Sequence, residues 1–293
     1  MTSFTLLAAL LGGSLSAFIA GGASMAPAGE DRMSAAPSYE SLAGFEGIVI
    51  NQINRVFGTE KLPAGNGFPV EPGVYVAVGQ NQLTIFDGTA ATLNNGLPTD
   101  TAVAEECRSG CSRVLYDAFN ASWLKLRTEA ARVGDEVPLR VLIGVESSLP
   151  ARALLEAAYA ASETRAERPP RLTMLLNGGQ AGLRGRPFYL VPPEGLRVSP
   201  SSNPLGMTLK VLGGGRYELS SIDGRSIPRT AIDGTAALNA RFLELDRRFP
   251  SKNGLIVEFA DGVSVGELVE GISAAEDRFP IPILSMGAKV RIE

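Results

Sequence analysis

The feature that most constrains this chain is an internal repeat. The stretch "GVESSLPARALLEAAYAASETRAERPPRLTMLLNG" (144–178) and the stretch "EFADGVSVGELVEGISAAEDRFPIPILSMG" (258–287) follow one plan. Each leaves a short apolar segment through a polar turn, enters an amphipathic helix and ends in a second apolar segment. Setting Leu149 against Val263 places Leu154 on Leu268, Leu155 on Val269 and Glu156 on Glu270 without a gap. Apolar positions that stay in register across a turn and a helix mark a duplication, and each copy must bury the same face.

The flanking elements repeat in the same order. In the first copy, Val74, Val76 and Val78 alternate before a polar turn, and Leu83 and Ile85 alternate after it, the pattern of a β-hairpin. Leu115, Phe119, Trp123 and Leu126 then recur at helical intervals, with Gly134 placed to stop the run. "PLRVLIGVE" is a buried strand, Ser148 is a candidate cap for the next helix with Pro150 in its first turn, and "RLTMLLNG" is another buried strand. In the second copy "MTLKVLGGGRYELSSIDGR" is a hairpin around a glycine turn, Leu238, Phe242, Leu245 and Phe249 face one side of a helix, and "GLIVEFADG" is the buried strand. "IPILSM" and "AKVRIE" close the chain as strands. The 293 residues suffice for two modest cores. The expected fold is therefore α+β, two tandem ββαβαβ domains over 71–194 and 195–293.

The strand, the Asp-containing turn and the helix of "IVEFADGVSVGELVEGISA", with Asp261 at the turn and Ser147 opposite it in "LIGVESSLPARALLEAAYAAS", resemble the periplasmic domain of the ExbD/TolR family. The resemblance covers roughly residues 72 to 293 and implies a non-catalytic subunit of an envelope transport, motility or stator-like assembly. Such a subunit sits in the inner membrane by one N-terminal helix with its bulk in the periplasm, beside a channel subunit of ExbB/TolQ type. Two departures stand out. The family usually carries one periplasmic unit, and its coupled members carry an Asp in the membrane helix, whereas nothing ionisable occurs here between Met1 and Gly29 apart from the chain's amino terminus. Proton transfer through hydrocarbon needs an ionisable side chain or a water path, so proton driving is not carried over.

The segment from Phe4 to Ala26 is long enough to span a bilayer and reads as an export element over 1–26, either a retained anchor or a signal peptide with Ala26-Pro27-Ala28 as its cleavage site. Gly13, Ala17 and Gly21 fall at four-residue spacing, which suits close helix packing in a membrane. Residues 27–70 are rich in Pro, Gly, Ala and Ser and read as a flexible linker. Within it Phe45, Ile48, Ile53, Val56 and Phe57 form one face of a short helix expected to dock on the folded part.

Composition excludes more than it assigns. The chain has no histidine, which removes Ser-His and Cys-His nucleophile pairs and the commonest nitrogen ligand for transition metals. A net charge of -4 with scattered Lys and Arg offers no field for nucleic acid. Cys107 and Cys111 in "CRSGC" predict a local structural disulfide in an oxidising compartment, with Gly110 bending the loop. Ser122 and Lys125 match S-x-x-K, but inside an amphipathic helix and without a later K-T-G. A hydrolase built on that pair is the weakest reading, and the chain is expected to be no enzyme, with no cofactor and no metal. The rival to the envelope subunit is a secreted periplasmic module that binds a peptide or glycan between its two units. Partner contacts are expected at an unpaired strand edge, first at Val290 and Ile292 of "AKVRIE". Partner identity, cargo, cleavage of the N-terminal segment and oligomeric state, a homodimer among the options, are open at this level.

Overall fold

The computed structural model describes residues 42–86, 88–133, 139–164, 169–192, 195–198, 206–222, 225–249, 254–275, 278, 281–285 and 290–292. The export element 1–26, with Gly13, Ala17 and Gly21, lies outside these residues, as does Gly134. Among the described residues no helix is long and apolar enough to cross a membrane.

The first half opens with helix α1 (Leu42–Val56) and the short strand β1 (Phe68–Pro69). A three-strand meander follows, β2 (Val74–Val78), β3 (Gln82–Ile85) and β4 (Gly88–Asn94), the last extended by β5 (Leu97–Pro98). Then come α2 (Arg113–Val133), β6 (Arg140–Val145), α3 (Ala151–Glu163), β7 (Arg171–Asn177) and β8 (Leu183–Leu190). The second half contains β9 (Leu196–Val198), β10 (Gly206–Gly213), β11 (Arg216–Ser221), β12 (Thr230–Asp233), α4 (Thr235–Arg248), β13 (Gly254–Phe259), α5 (Val265–Ser273), β14 (Ile283–Leu284) and β15 (Val290–Ile292).

Strand order is the same in the two halves. It reads β4-β3-β2-β6-β7 in one and β12-β11-β10-β13-β14 in the other, with an antiparallel meander followed by parallel strands in both. Each copy thus carries a third meander strand beyond the expected ββαβαβ. "GTAATLN" and "TAID" are weakly apolar and sit at sheet edges, where pairing with one neighbour replaces the hydrophobic alternation that would have announced them. The halves are also not separate bodies. β8 runs antiparallel to β7, and its other edge is shared between β1 at Phe68↔Gly185 and parallel β14 at Leu284↔Leu190, so one mixed sheet of thirteen strands spans both.

A local two-fold relates the copies. Pro150 and Ser264, which are repeat equivalents, form an antiparallel bridge. The Ala151 N–H donates to the Val263 carbonyl at 2.8 Å, and the Val265 N–H donates to the Leu149 carbonyl at 2.7 Å. Each unit therefore supplies an acceptor for a first-turn N–H of the other's helix, one of the backbone donors that every helix start leaves unsatisfied. This corrects the assignment of Ser148 as a cap: its hydroxyl donates to Glu146, Pro150 occupies the N-cap position of α3, and no side chain caps that helix. The equivalent Ser264 does cap α5, in a capping box with Glu267.

Layering differs between the halves. In the second, Met207, Leu209, Val211, Tyr217 and Leu219 are buried, whereas Thr208, Lys210, Glu218 and Ser220 on the opposite face are half-buried. In the first, every residue of β2 is buried, because α1 covers the face that the second half leaves partly open. Phe45, Val49, Ile53 and Phe57 are buried, and Gly144 of β6 lies under Ile53 and Leu62. Residues 42–70, expected as part of a flexible linker, thus form a third layer of the fold, with the α1 face docked on its own chain as its apolar pattern predicts.

Candidate functional site

Cys107 and Cys111 are joined in a disulfide across a Cα separation of 5.8 Å. Gly110 takes a φ of 74°, and the Ala104 N–H donates to the Cys111 carbonyl, so the bridge, with both cysteines buried, closes a surface loop directly before α2. Its place is structural. Ser122 donates its hydroxyl to the Ala118 carbonyl at 2.8 Å and, with Lys125, lines a shallow groove of about 310 Å³ between α2 and the β3–β4 hairpin. Asp261 is an exposed turn residue beside Gly262, whose φ is 83°.

Val290 and Ile292 do not lie on an edge of the large sheet. β15 pairs in parallel with β9 in a separate two-stranded ribbon, Val290↔Leu196 and Ile292↔Val198. The reason is geometric: β15 follows β14 as β8 follows β7, but β8 already holds the place between the halves, and one position on a two-fold axis admits one strand. The large sheet ends at β12 and at the β4–β5 edge.

A cleft of about 760 Å³ lies where the halves meet. Pro63 and Ala64 form one wall, Ser147 from the turn after β6 a second, and Thr235, Ala236 and Asn239 of α4 a third; Gly266, Glu270, Ser273 and Ala274 of α5 complete it. Local chemistry holds these elements in place. The glycine turn Gly213–Gly215 has positive φ at all three residues, the conformation glycine adopts at least cost, and the Gly234 N–H donates to the Gly215 carbonyl, which fixes the start of α4. Glu267 accepts from the backbone N–H groups of Ser264 and Gly214, and these two bonds hold its carboxyl below the usual range. Asn239 donates its amide to the Ala274 carbonyl at 3.1 Å.

Polar groups converge on one carboxylate. Thr235 donates its hydroxyl to Glu270, and the Tyr217 hydroxyl lies 3.2 Å from Thr235. Tyr217 is buried, which raises its pKa, and because the single Thr235 hydroxyl hydrogen goes to Glu270, the Tyr217 hydroxyl donates to Thr235. Ser273 Oγ is buried with no hydrogen-bond partner among the described residues. Among the described residues Glu270 is the one charged side chain on the lining. The repeat alignment singles out Glu270 only as the counterpart of Glu156; Thr235 and Ser273 carry no sequence signal, because α4 and α5 meet only in the tertiary structure. No group of His, Cys, Asp and Glu suited to a metal ion occurs among the described residues.

No family model matches the chain, and no curated protein matches it. Among solved structures it is similar to the ethanolamine utilization protein EutJ from Carboxydothermus hydrogenoformans, over 82% of this chain and 94% of that one, at 10% identity and a TM-score of 0.22. A superposition that loose carries no argument about function.

Proposed function

We propose that this chain is a non-catalytic, membrane-anchored periplasmic subunit of an envelope transport, motility or stator-like assembly, with two ExbD/TolR-like units in one polypeptide. The observation that carries the reading is the pairing of the two strand-to-helix turns around a local two-fold, Ala151 to Val263 and Val265 to Leu149. A chain that closes two equivalent units on each other has the form of a pre-assembled dimer. Its rigid sheet suits it to brace or transmit motion rather than to carry out a reaction. With no ionisable side chain from residue 2 to Gly29, the proton path belongs to the partner. The test is co-expression with a channel subunit of ExbB/TolQ type. The full-length chain is expected to stay in the membrane fraction after a carbonate wash and to co-purify with that subunit in detergent. Recovery of a soluble form starting near Gly29, with no co-purification, would overturn the reading.

The cleft between the halves favours a second reading, a periplasmic binding module, since ligand sites are concave and combine apolar walls with a few convergent polar groups. Saturable binding of a small ligand by the soluble form is its test.

A further inference from the structure

The two repeats treat the same glutamate differently. In the first, Glu156 on α3 is paired one helical turn away with Arg152, whose Nε and Nη2 both lie 3.1 Å from Glu156 Oε1. In the second, the equivalent carboxylate is Glu270 on α5, and the position equivalent to Arg152 is Gly266. The change has two consequences at one place. Gly266 lines the cleft beside Glu270 with Ser147 packed against it, and among the described residues no ion pair reaches Glu270 and no cationic side chain lines the cleft. Thr235 meanwhile donates to Glu270, which fixes the orientation of the carboxylate.

We propose that the cleft binds a guanidinium group, which takes the place at Glu270 that the Arg152 guanidinium holds at Glu156. A planar fork of donors matches a carboxylate better than a compact ammonium does, and the first repeat already sets two guanidinium nitrogens on one glutamate oxygen. Thr235 occupies Oε1 of Glu270, so the guanidinium engages the other carboxylate oxygen from the cleft. The buried Ser273 hydroxyl gains a partner when the cleft fills. The cleft's volume accommodates more than one arginine side chain, so the group comes either from a free small molecule or from an arginine on a partner peptide. The proposal rests on the cleft being a binding site, as in the second reading above, and is independent of the membrane assembly.

The experiment is titration calorimetry on the full-length chain in detergent. The probes are L-arginine, the tripeptide Ala-Arg-Ala, its citrulline analogue Ala-Cit-Ala, tri-alanine and N,N′-diacetylchitobiose. Citrulline keeps the shape and removes the charge. At least one arginine probe is expected to bind saturably, and if that probe is Ala-Arg-Ala, Ala-Cit-Ala should bind at least about tenfold more weakly, since each factor of ten is worth about 1.4 kcal/mol. Tighter binding of the tripeptide assigns a peptide source, and tighter binding of L-arginine a free one. Glu270→Gln should weaken binding by at least about tenfold, as should Ala236→Trp, which fills the cleft from an exposed position without touching the core. Glu258→Gln on the opposite sheet face should change nothing. Equal affinity for Ala-Arg-Ala and Ala-Cit-Ala, or undiminished binding by folded Glu270→Gln and Ala236→Trp, would overturn the proposal. So would the absence of binding by either arginine probe up to about tenfold the millimolar range that marks weak sites. Binding of tri-alanine or the disaccharide without arginine binding would overturn it while leaving the cleft a binding site.

Discussion

Tyr159 offers a test of how the two halves are held together. Its side chain on α3 is buried, and its hydroxyl donates to the Val191 carbonyl at 2.8 Å. Val191 follows β8 and its N–H donates to Leu284 of β14, so this one residue links the first half's helix layer to the second half's last strand in the shared sheet. Tyr159→Phe keeps the ring and removes the hydroxyl, leaving a buried carbonyl without its donor, and should cost about 1 to 2 kcal/mol at neutral pH. Burial, with Glu163 as a lesser cause, pushes the phenol up to about 12 in the folded chain, against about 10 in an unfolded one. A raised folded pKa means that its contribution is fully present below pH 10 and is lost as pH climbs from 10 to 12. At about 1.4 kcal/mol per unit, the wild-type chain gives up roughly that much by pH 11 relative to a variant with no phenol at this position. The stability gap between the two proteins should therefore nearly close at pH 11. Urea denaturation at pH 7, 9 and 11, followed by the fluorescence of Trp123, the only tryptophan, reads this directly. Trp123 is buried, and its indole N–H donates to Thr164 at the end of α3, so it reports on the same helix. A gap of equal size at pH 7 and pH 11 would refute the argument from burial, and no gap at pH 7 would refute the hydrogen bond.

Ile53→Ala should cost about 2 to 5 kcal/mol and expose the outer face of β2 and β6, measured as a lower melting temperature and new binding of an apolar dye. Ser264→Ala breaks the capping box of α5 and should cost about 1 kcal/mol by chemical denaturation, whereas Ser148→Ala, at a position that caps nothing, should cost less. Because the Glu267 carboxyl is held low by backbone N–H groups, its contribution is present above the unfolded pKa and is lost as pH falls through the folded one. Acid unfolding should accordingly be shallower for Glu267→Gln. Exported protein should resist thiol labelling at Cys107 and Cys111 until reduced, and full labelling without reductant would remove the bridge.

What the chain's own order of residues determined is local. Periodicity placed α2 through α5 and the buried strands, the glycines of 213–215 marked a turn with positive φ, and gap-free register of 149–156 on 263–270 marked the duplication; each of these is written within a few consecutive residues. The candidate site was half legible, since the same register pairs Glu156 with Glu270, but that Glu270 borders a cleft depends on α4, α5 and the 63–64 loop meeting there. Only the tertiary structure decided the rest, because it turns on which groups compete for one place. β8 occupies the single strand position between the halves, so β15 is displaced to β9 and the sheet becomes continuous. Helix α1 is a covering layer because the first half's sheet is apolar on both faces, and the first N–H of α3 finds its acceptor in the Val263 carbonyl of the other repeat. A backbone bond between residues more than a hundred positions apart leaves no periodic trace in either segment, and it is bonds of this kind that make two copies of a unit into one body.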